Sequence, residues 1–209
     1  MKNCKEDSQI FNLNGEYACL DKFFELPENK TIELDLGCGK GSFSTALATR
    51  DPDSIILSAD VMIGRLRKLV RRCNRENIRN MFLLRVEASL LVTAMLPDCS
   101  ITRLHILCPD PWPKAKHRGN RLVSSEFIGQ IHRVLRPGGV FHFATDDEPY
   151  WTSATSIVGP SQLFKEDASA IGDLADIKTD FERRWLEEGR GVHHAAWIKQ
   201  PNVFQGPGH

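Results

Sequence analysis

The sequence predicts an α/β fold: a mostly parallel sheet as the middle of three layers, α/β/α, with helices over both faces. Three observations predict it. Strand-like and helix-like stretches alternate five times between Thr31 and Asp146. A glycine-rich turn, Gly37-x-Gly39-x-Gly41, joins the first strand to the first helix, and an acid stands within or just after each of the five strands. Parallel neighbours cannot be joined by hairpins, so each crossover is right-handed and lays a helix on the sheet.

The elements follow in order. Residues 1–30 show little periodicity beyond Phe23, Phe24 and Leu26, and are expected to form an N-terminal arm or cap. Thr31 opens TIELDLGCGKGSF, which reads as a strand, the glycine turn and a helix over residues 42–50. Ile55 to Ala59 is the second strand, ending at Asp60. Leu66, Leu69, Val70 and Cys73 then recur at i, i+3, i+4 and i+7, the stripe of an amphipathic helix whose other faces carry Arg65, Arg67, Lys68, Arg71, Arg72 and Arg75. A third strand over 81–86 ends at Glu87 and leads to a short helix, ASLLVTAML, closed by Pro97. The fourth strand spans 101–108. A helix over 122–135 is stopped by Arg136-Pro137-Gly138-Gly139, and a fifth strand over 140–144 ends at Thr145-Asp146. A helix after Pro149, a short strand near Leu163, a helix through Phe181 to Leu186 and a last strand over 192–199 complete one domain over 31–200, followed by a flexible tail at 201–209.

Composition narrows the function. Lys plus Arg equal Asp plus Glu at 27 each, so no global field draws the protein to a polyanion and any such site is a local patch. The six cysteines, at 4, 19, 38, 73, 99 and 108, form no C-x-x-C pair, which speaks against a zinc site or a disulfide framework and for reduced thiols in the cytoplasm. The first residues lack an apolar leader core and no run is long enough to span a membrane, so a membrane partner is not expected.

The most informative stretch is Ile101 to Arg121, ITRLHILCPDPWPKAKHRGNR. Its strand stops at Pro109, and two further prolines follow, at 111 and 113. Each proline disfavours the helical region for the residue before it, so Asp110 and Trp112 are expected to be held extended at a strand's C-terminal end, where open α/β sheets bind ligands. Lys114, Lys116, His117, Arg118 and Arg121 follow. Carboxylate, aromatic plate and cations together suit a base on its phosphate backbone; the alternative is a solvated loop whose tryptophan packs on a neighbour.

Gly37 and Gly39 place backbone where a nucleotide-like ligand can approach, and Asp60, about twenty residues on, stands where an acid takes ribose hydroxyls. Ser42 stands where the dinucleotide fingerprint has its third glycine, and Lys40 is followed by glycine rather than Ser or Thr, so neither that fingerprint nor a P-loop is matched. The acids at strand ends are Asp35, Asp60, Glu87, Asp110 and Asp146. Any one of them can be a helix cap or turn former. Together they make a carboxylate-rich rim, which suits the sulfonium, ammonium and ribose diol of S-adenosylmethionine.

LDLGCGKGSF, Asp60, PDPWPKAKHRGNRLV, FATD and TDFERRWLEEG closely resemble the tRNA (guanine-N7)-methyltransferases, over roughly Thr31 to Lys199. The resemblance implies a Rossmann-like class I methyltransferase fold with a mostly parallel seven-stranded sheet. It implies an enzyme that transfers a methyl group from S-adenosyl-L-methionine to N7 of guanosine 46, in the tRNA variable loop, acting as monomer or homodimer without metal. By the same resemblance the cofactor-binding acids fall on Asp35, Asp60, Glu87 and Asp110, beside Gly37 and Gly39. The substrate-contacting residues fall on Lys114, Asp146, Thr179, Asp180, Phe181 and Glu182. Gly119 and Asn120 dilute a basic run that is denser in the family.

Those residues suit the chemistry. Guanine N7 carries a lone pair and no proton, so positioning matters more than acid–base work. Asp110 or Asp146 would stabilise the cation that develops on the purine, with Asp110 as the catalytic carboxylate. Glu182 and Thr179 would accept from guanine N1 and N2. Lys114, Lys116, Arg118 and Arg121 would hold phosphates, with the arginine-rich helix as an extension or merely a solvated face. His193-His194 reads as strand packing or surface, since no third metal ligand is apparent. An NAD oxidoreductase, a non-catalytic tRNA-binding subunit and a methyltransferase acting on an exocyclic amine are the competing readings. The last would usually carry N/D-P-P-Y/F where this chain has Asp110-Pro111-Trp112-Pro113.

Overall fold

A computed structural model describes residues 5–16 and 18–201. Its strands are β1 (Ile10–Asn12), β2 (Ile32–Leu36), β3 (Ile55–Ala59), β4 (Met81–Arg85), β5 (Ile101–Leu107), β6 (Leu135–Thr145), β7 (Phe164–Glu166) and β8 (His193–Lys199). They form one sheet in the order β1-β4-β3-β2-β5-β6-β8-β7. Seven strands run in one direction, and β8 alone runs antiparallel, to its neighbours β6 and β7. The count is eight rather than the seven expected, because part of the N-terminal segment enters the sheet: Ile10 to Asn12 pair with Leu83 to Arg85. Three residues of β1 carry too little periodicity to be read as a strand, and only pairing with β4 fixes them. Of the expected flexible tail, residues 202–209 lie outside the described residues.

The helices are α1 (Ser42–Arg50), α2 (Ile63–Glu76), α3 (Ala88–Leu90), α4 (Ser125–Val134), α5 (Glu148–Val158) and α6 (Asp180–Glu187). Ser124, Asp147 and Thr179 cap α4, α5 and α6, each side chain accepting a backbone N–H three residues on. The stretch expected to be one short helix after Glu87 is α3 followed by a π turn, Leu91–Met95. The Arg133 guanidinium takes over its carbonyls, donating to Val92 at 2.6 Å and Leu96 at 2.9 Å, so the last turn need not close on itself.

Period-two alternation sorts the sheet's side chains onto two faces. Ile32, Leu34, Leu36, Leu104, Ile106, Phe141, Phe143, Ala195 and Trp197 join the large core formed with the π turn, α4 and α5. The intervening residues face α1 and the approach to α6, and these include Glu33, Asp35, His105 and His142, all buried. One face is thus oily and the other carries ionisable groups. At the N-terminal side, Arg67 on α2 donates two hydrogen bonds to Asp7, at 2.7 and 2.8 Å, and Arg71 binds Glu6 at 2.9 Å.

These ion pairs clamp the segment that leads into β1. Replacing both Arg67 and Arg71 by alanine is expected to speed amide exchange over residues 10–13 by about tenfold or more, while global stability in urea falls by no more than about 1–2 kcal/mol. Unchanged exchange there, measured by native-state hydrogen exchange, would show that sheet pairing alone holds the strand.

Candidate active site

A cleft with a cavity volume of about 140 Å³ opens between the glycine turn and the start of α6. It is lined by Asp35, Gly37, Cys38, Gly39, Lys40, Ser42 and Phe43 on one side and by Thr179, Asp180, Phe181 and Arg184 on the other. Gly37, Gly39 and Gly41 all have positive φ, at 80°, 58° and 74°, a conformation costly to residues with a Cβ. At Gly41 a Cβ would also meet Leu69 Cδ1 at 2.5 Å, so α1 starts where only glycine lets it sit against α2.

Asp35 is 3% exposed and accepts a 2.5 Å hydrogen bond from Ser44 on α1. Burial raises its carboxyl to about 6, with Ser44 and His105 acting in the opposite direction. Beside it, burial and the two acids Asp35 and Asp60 keep the Cys38 thiol protonated, far above the usual thiol range. Asp60 is buried and its carboxylate accepts from the amides of Gly39 (3.1 Å) and Met62 (2.7 Å) and from Arg65 (3.2 Å). It therefore braces the glycine turn against α2. Just past it, Val61 and Met62 leave apolar side chains half exposed.

Glu87 is exposed and caps α3, accepting from the Leu90 amide at 2.9 Å. Asp110 is exposed beyond the end of β5 and, among the described residues, its carboxylate has no hydrogen-bond or ion-pair partner. Trp112, 37% exposed, is not extended as expected: its φ is 45°. Proline excludes the right-handed helical region for the residue before it, yet the left-handed region stays open, and Cys108 four residues earlier adopts it too, at φ 52°. Two strained residues in one loop are a common feature of functional sites. Lys114, Lys116 and Arg118 are exposed on this loop without ion-pair partners among the described residues. Arg121 differs from the phosphate-binding expectation: it is buried, donates to the carbonyls of Pro111 and Pro149 at 2.9 and 3.0 Å, and lies 4.7 Å over the Tyr150 ring. The proline loop is thereby anchored to α5.

At the other wall, Thr179 caps α6 and lies against Cys108, whose thiol burial pushes up to about 12. Asp180 pairs with Arg183 at 3.0 Å, and Phe181, 48% exposed, stacks on Trp185 at 5.6 Å. Asp146 pairs with Arg190, which in turn lies 5.3 Å over Trp185. Glu182 does not face the same cleft. It is buried toward the sheet, pairing with Lys178 at 2.8 Å and His194 at 3.1 Å. Burial raises its carboxyl, but those two partners outweigh it and hold the group below the ordinary range.

Several functional-looking residues are not apparent from motif reading. The arginines of the arginine-rich helix are mostly paired: Arg65 with Asp60, Arg67 with Asp7, Arg71 with Glu6, and Arg72 and Arg75 with the one carboxylate of Glu76. Glu33, His105 and His142, all buried, and the half-buried His194 form a polar line behind the cleft. The sequence does carry a signal for it, because LHIL and FHFA each place a histidine inside an otherwise apolar strand. Among the described residues, no group of His, Cys, Asp and Glu is arranged to hold a metal, and no helix is long and apolar enough to cross a membrane.

A buried carboxylate, an open backbone turn and half-exposed apolar groups beside Asp60 fit a ligand carrying cationic and nucleoside parts. Comparison with known proteins gives the same direction. Residues 29–195 match the family described as "Putative methyltransferase". The chain is 30% identical to the tRNA (guanine-N(7)-)-methyltransferase of Caulobacter vibrioides, covering 76% of this chain and 78% of that one. It is 34% identical to the enzyme of the same name from Roseobacter denitrificans, over 83% and 76%. In structure it is similar to the 16S rRNA methyltransferase KamB, with a TM-score of 0.64 at 19% identity, covering 87% of this chain and 94% of that one, a likeness of fold.

The raised carboxyl of Asp35 has a stability consequence. Its folded value, about 6, lies above the ordinary 3.8, so its contribution is fully present below pH 3.8 and is lost as the pH rises through 6. Asp35→Asn removes the buried charge and is expected to stabilise the ligand-free protein by about 1–3 kcal/mol at pH 7. The difference should shrink to near zero by about pH 4. Urea midpoints of both proteins at the two pH values measure it.

Proposed function

The chain belongs to the tRNA (guanine-N7)-methyltransferase family, and on that footing we propose that it transfers a methyl group from S-adenosyl-L-methionine to N7 of guanosine 46 in the variable loop of tRNA. The observation that carries this reading is the cleft itself. Its two walls are the glycine turn with Asp35 and the start of α6 with Thr179, Asp180 and Phe181.

When bound, S-adenosylmethionine supplies a methyl group made electrophilic by its sulfonium. The protein's residues hold and orient. Gly37 and Gly39 let the backbone come close, and Asp35, inside the same cleft, offers a carboxylate to the ligand's cationic end. A cation there would restore the charged form that burial disfavours. Asp60, with Val61 and Met62 beside it, would take the nucleoside end. Glu87 would border it from the end of β4.

Guanine N7 needs no deprotonation, so rate comes from alignment and charge. Holding the methyl carbon in line with N7 can supply on the order of 7–11 kcal/mol of the barrier. Asp146 is already neutralised by Arg190, which leaves Asp110, exposed and unpaired, as the carboxylate able to answer positive charge on the methylated purine. Thr179, Asp180 and Phe181 would face the base from α6, with the buried Glu182 carboxylate beneath them, and Phe181 has the exposed ring that stacking requires. Lys114, Lys116 and Arg118 would take phosphates, with Trp112 against the base or the adenosine.

Methyl transfer from labelled cofactor to unmodified tRNA tests the reading. Wild type should give a product cleaved by alkali, as 7-methylguanosine is. A tRNA with adenosine at position 46 should accept none, and Asp110→Ala should lower kcat about 10²–10³-fold. Label in another position, or none, would reject the proposal.

The cation loop makes a second prediction. Alanine in place of Lys114, Lys116 or Arg118 should each weaken tRNA binding and reduce the slope of log K against log salt by about one. Alanine in place of Arg121 should instead lower thermal stability, since it leaves the Pro111 and Pro149 carbonyls without their donor.

A further inference from the structure

Two carboxylates and three imidazoles form a single hydrogen-bonded line across the sheet, and of these groups the proposed reaction uses Glu182 alone. Glu33 Oε2 meets His105 Nε2 at 2.6 Å. His105 Nδ1 meets His142 Nδ1 at 3.1 Å, His142 Nε2 meets His194 Nδ1 at 3.0 Å, and His194 Nε2 meets Glu182 Oε1 at 3.1 Å. Glu33, His105, His142 and Glu182 are all buried, and Phe43 seals His105 at 4.9 Å.

Counting protons gives the line a property that no pair within it has. Both carboxylates are held ionised, Glu33 because His105 and Arg103 outweigh its burial, so both only accept. Each terminal histidine must then donate from Nε2. The two links between imidazoles each need one further N–H. Four links require four protons, and three neutral imidazoles carry three. One extra proton completes the set; without it, two bare nitrogens face each other in a dry site. Burial holds His142 well below the usual histidine range, so the extra proton belongs to an end, His105 or His194, each against a carboxylate. The tautomer of His142 reverses as the proton changes ends.

We propose that Glu33, His105, His142, His194 and Glu182 form a relay sharing one proton that fixes the Glu182 carboxylate beneath the start of α6, making His142 and His194 positioning residues for recognition of the guanine. The second half rests on the reading that Glu182 contacts the base. Lys178 and His194 both meet Oε1 of Glu182, which fixes the orientation of that carboxylate. The other charges facing the line are Arg103 on Glu33, Asp173 on Arg103, Asp35 near His105, and Cys108 with Asp146 near Glu182.

Nitrogen-15 imidazole spectra of the full chain decide the relay without any activity. With seven histidines in the sequence, His142→Phe and His194→Gln assign the relay rings. At neutral pH the three rings should carry four N–H protons, with Nε2–H on both His105 and His194 and His142 neutral. On raising the pH, the loss of the fourth proton should move the Glu182 carboxyl carbon-13 signal in step, and His142→Phe should uncouple the two. Three N–H protons at neutral pH, or a Glu182 signal indifferent to the imidazoles, overturns the relay.

Kinetics decide the positioning role. His194→Gln keeps a donor for Glu182 but cannot carry a charge, and its half-buried site spares the core. Wild-type KM for tRNA should rise with pH; His194→Gln should raise that KM about tenfold with a smaller change in kcat, and abolish its rise with pH. A pH profile of KM parallel to wild type overturns the role. If the four protons are found yet wild type methylates no tRNA, the reaction assignment falls, and with it the positioning role, while the relay stands.

Discussion

Ionisable groups buried on one face of the central sheet are the constraint on which the rest of this structure depends. Charge in a dry interior is tolerated only when paired or hydrogen-bonded. Here Glu33 is tied to Arg103 and His105, and Asp35 to Ser44, so α1 and two strands, β2 and β5, are held in register by polar contacts as well as by packing. The opposite face needs no such arrangement, because it is a continuous apolar core. The fold is therefore asymmetric: one side supplies stability and the other supplies chemistry.

The same asymmetry explains the cleft. Asp60 gathers Gly39, Met62 and Arg65 around one carboxylate and so fixes the glycine turn to the start of α2. Arg121 does the equivalent for the proline loop, gathering two carbonyls under the Tyr150 ring. Neither residue needs to touch a ligand to matter. Each holds still a loop that carries ligand-facing groups, and in a reaction that depends on alignment, held loops are worth as much as reactive ones. Asp35 alone remains in an unfavourable state in the free protein, a carboxyl raised to about 6 inside the cleft. A cation arriving there would relieve it, so binding and relief of buried charge are one event.

The distribution of cations follows a similar logic. Arginines on α2 lie close to the N-terminal acids Glu6 and Asp7 and are consumed in holding the edge of the sheet. Lysines and the arginine on the proline loop face solvent and are not. A chain with no net charge can thus offer a local basic patch, set on the proline loop that follows β5.

The sequence by itself determined the order of elements from β2 to β6, because period and punctuation are local signals: Leu66, Leu69, Val70 and Cys73 mark α2, and Gly41 marks the start of α1; the start of β6, expected at 140 after an Arg-Pro-Gly-Gly stop, lies instead at Leu135, where pairing with Ile101 draws that stretch into the sheet. It also determined the motifs on the rim and, through them, the family. Only the tertiary structure decided what lies across space. Ile10–Asn12 is a strand because β4 offers it an edge. Arg121 is an anchor because Pro149, twenty-eight positions away, comes within its reach. Trp112 turned left-handed because proline forbids one region and not the other. His105, His142 and His194 stand in the sequence as isolated polar residues; they become a line because three strands far apart in the chain lie side by side with the same face turned inward.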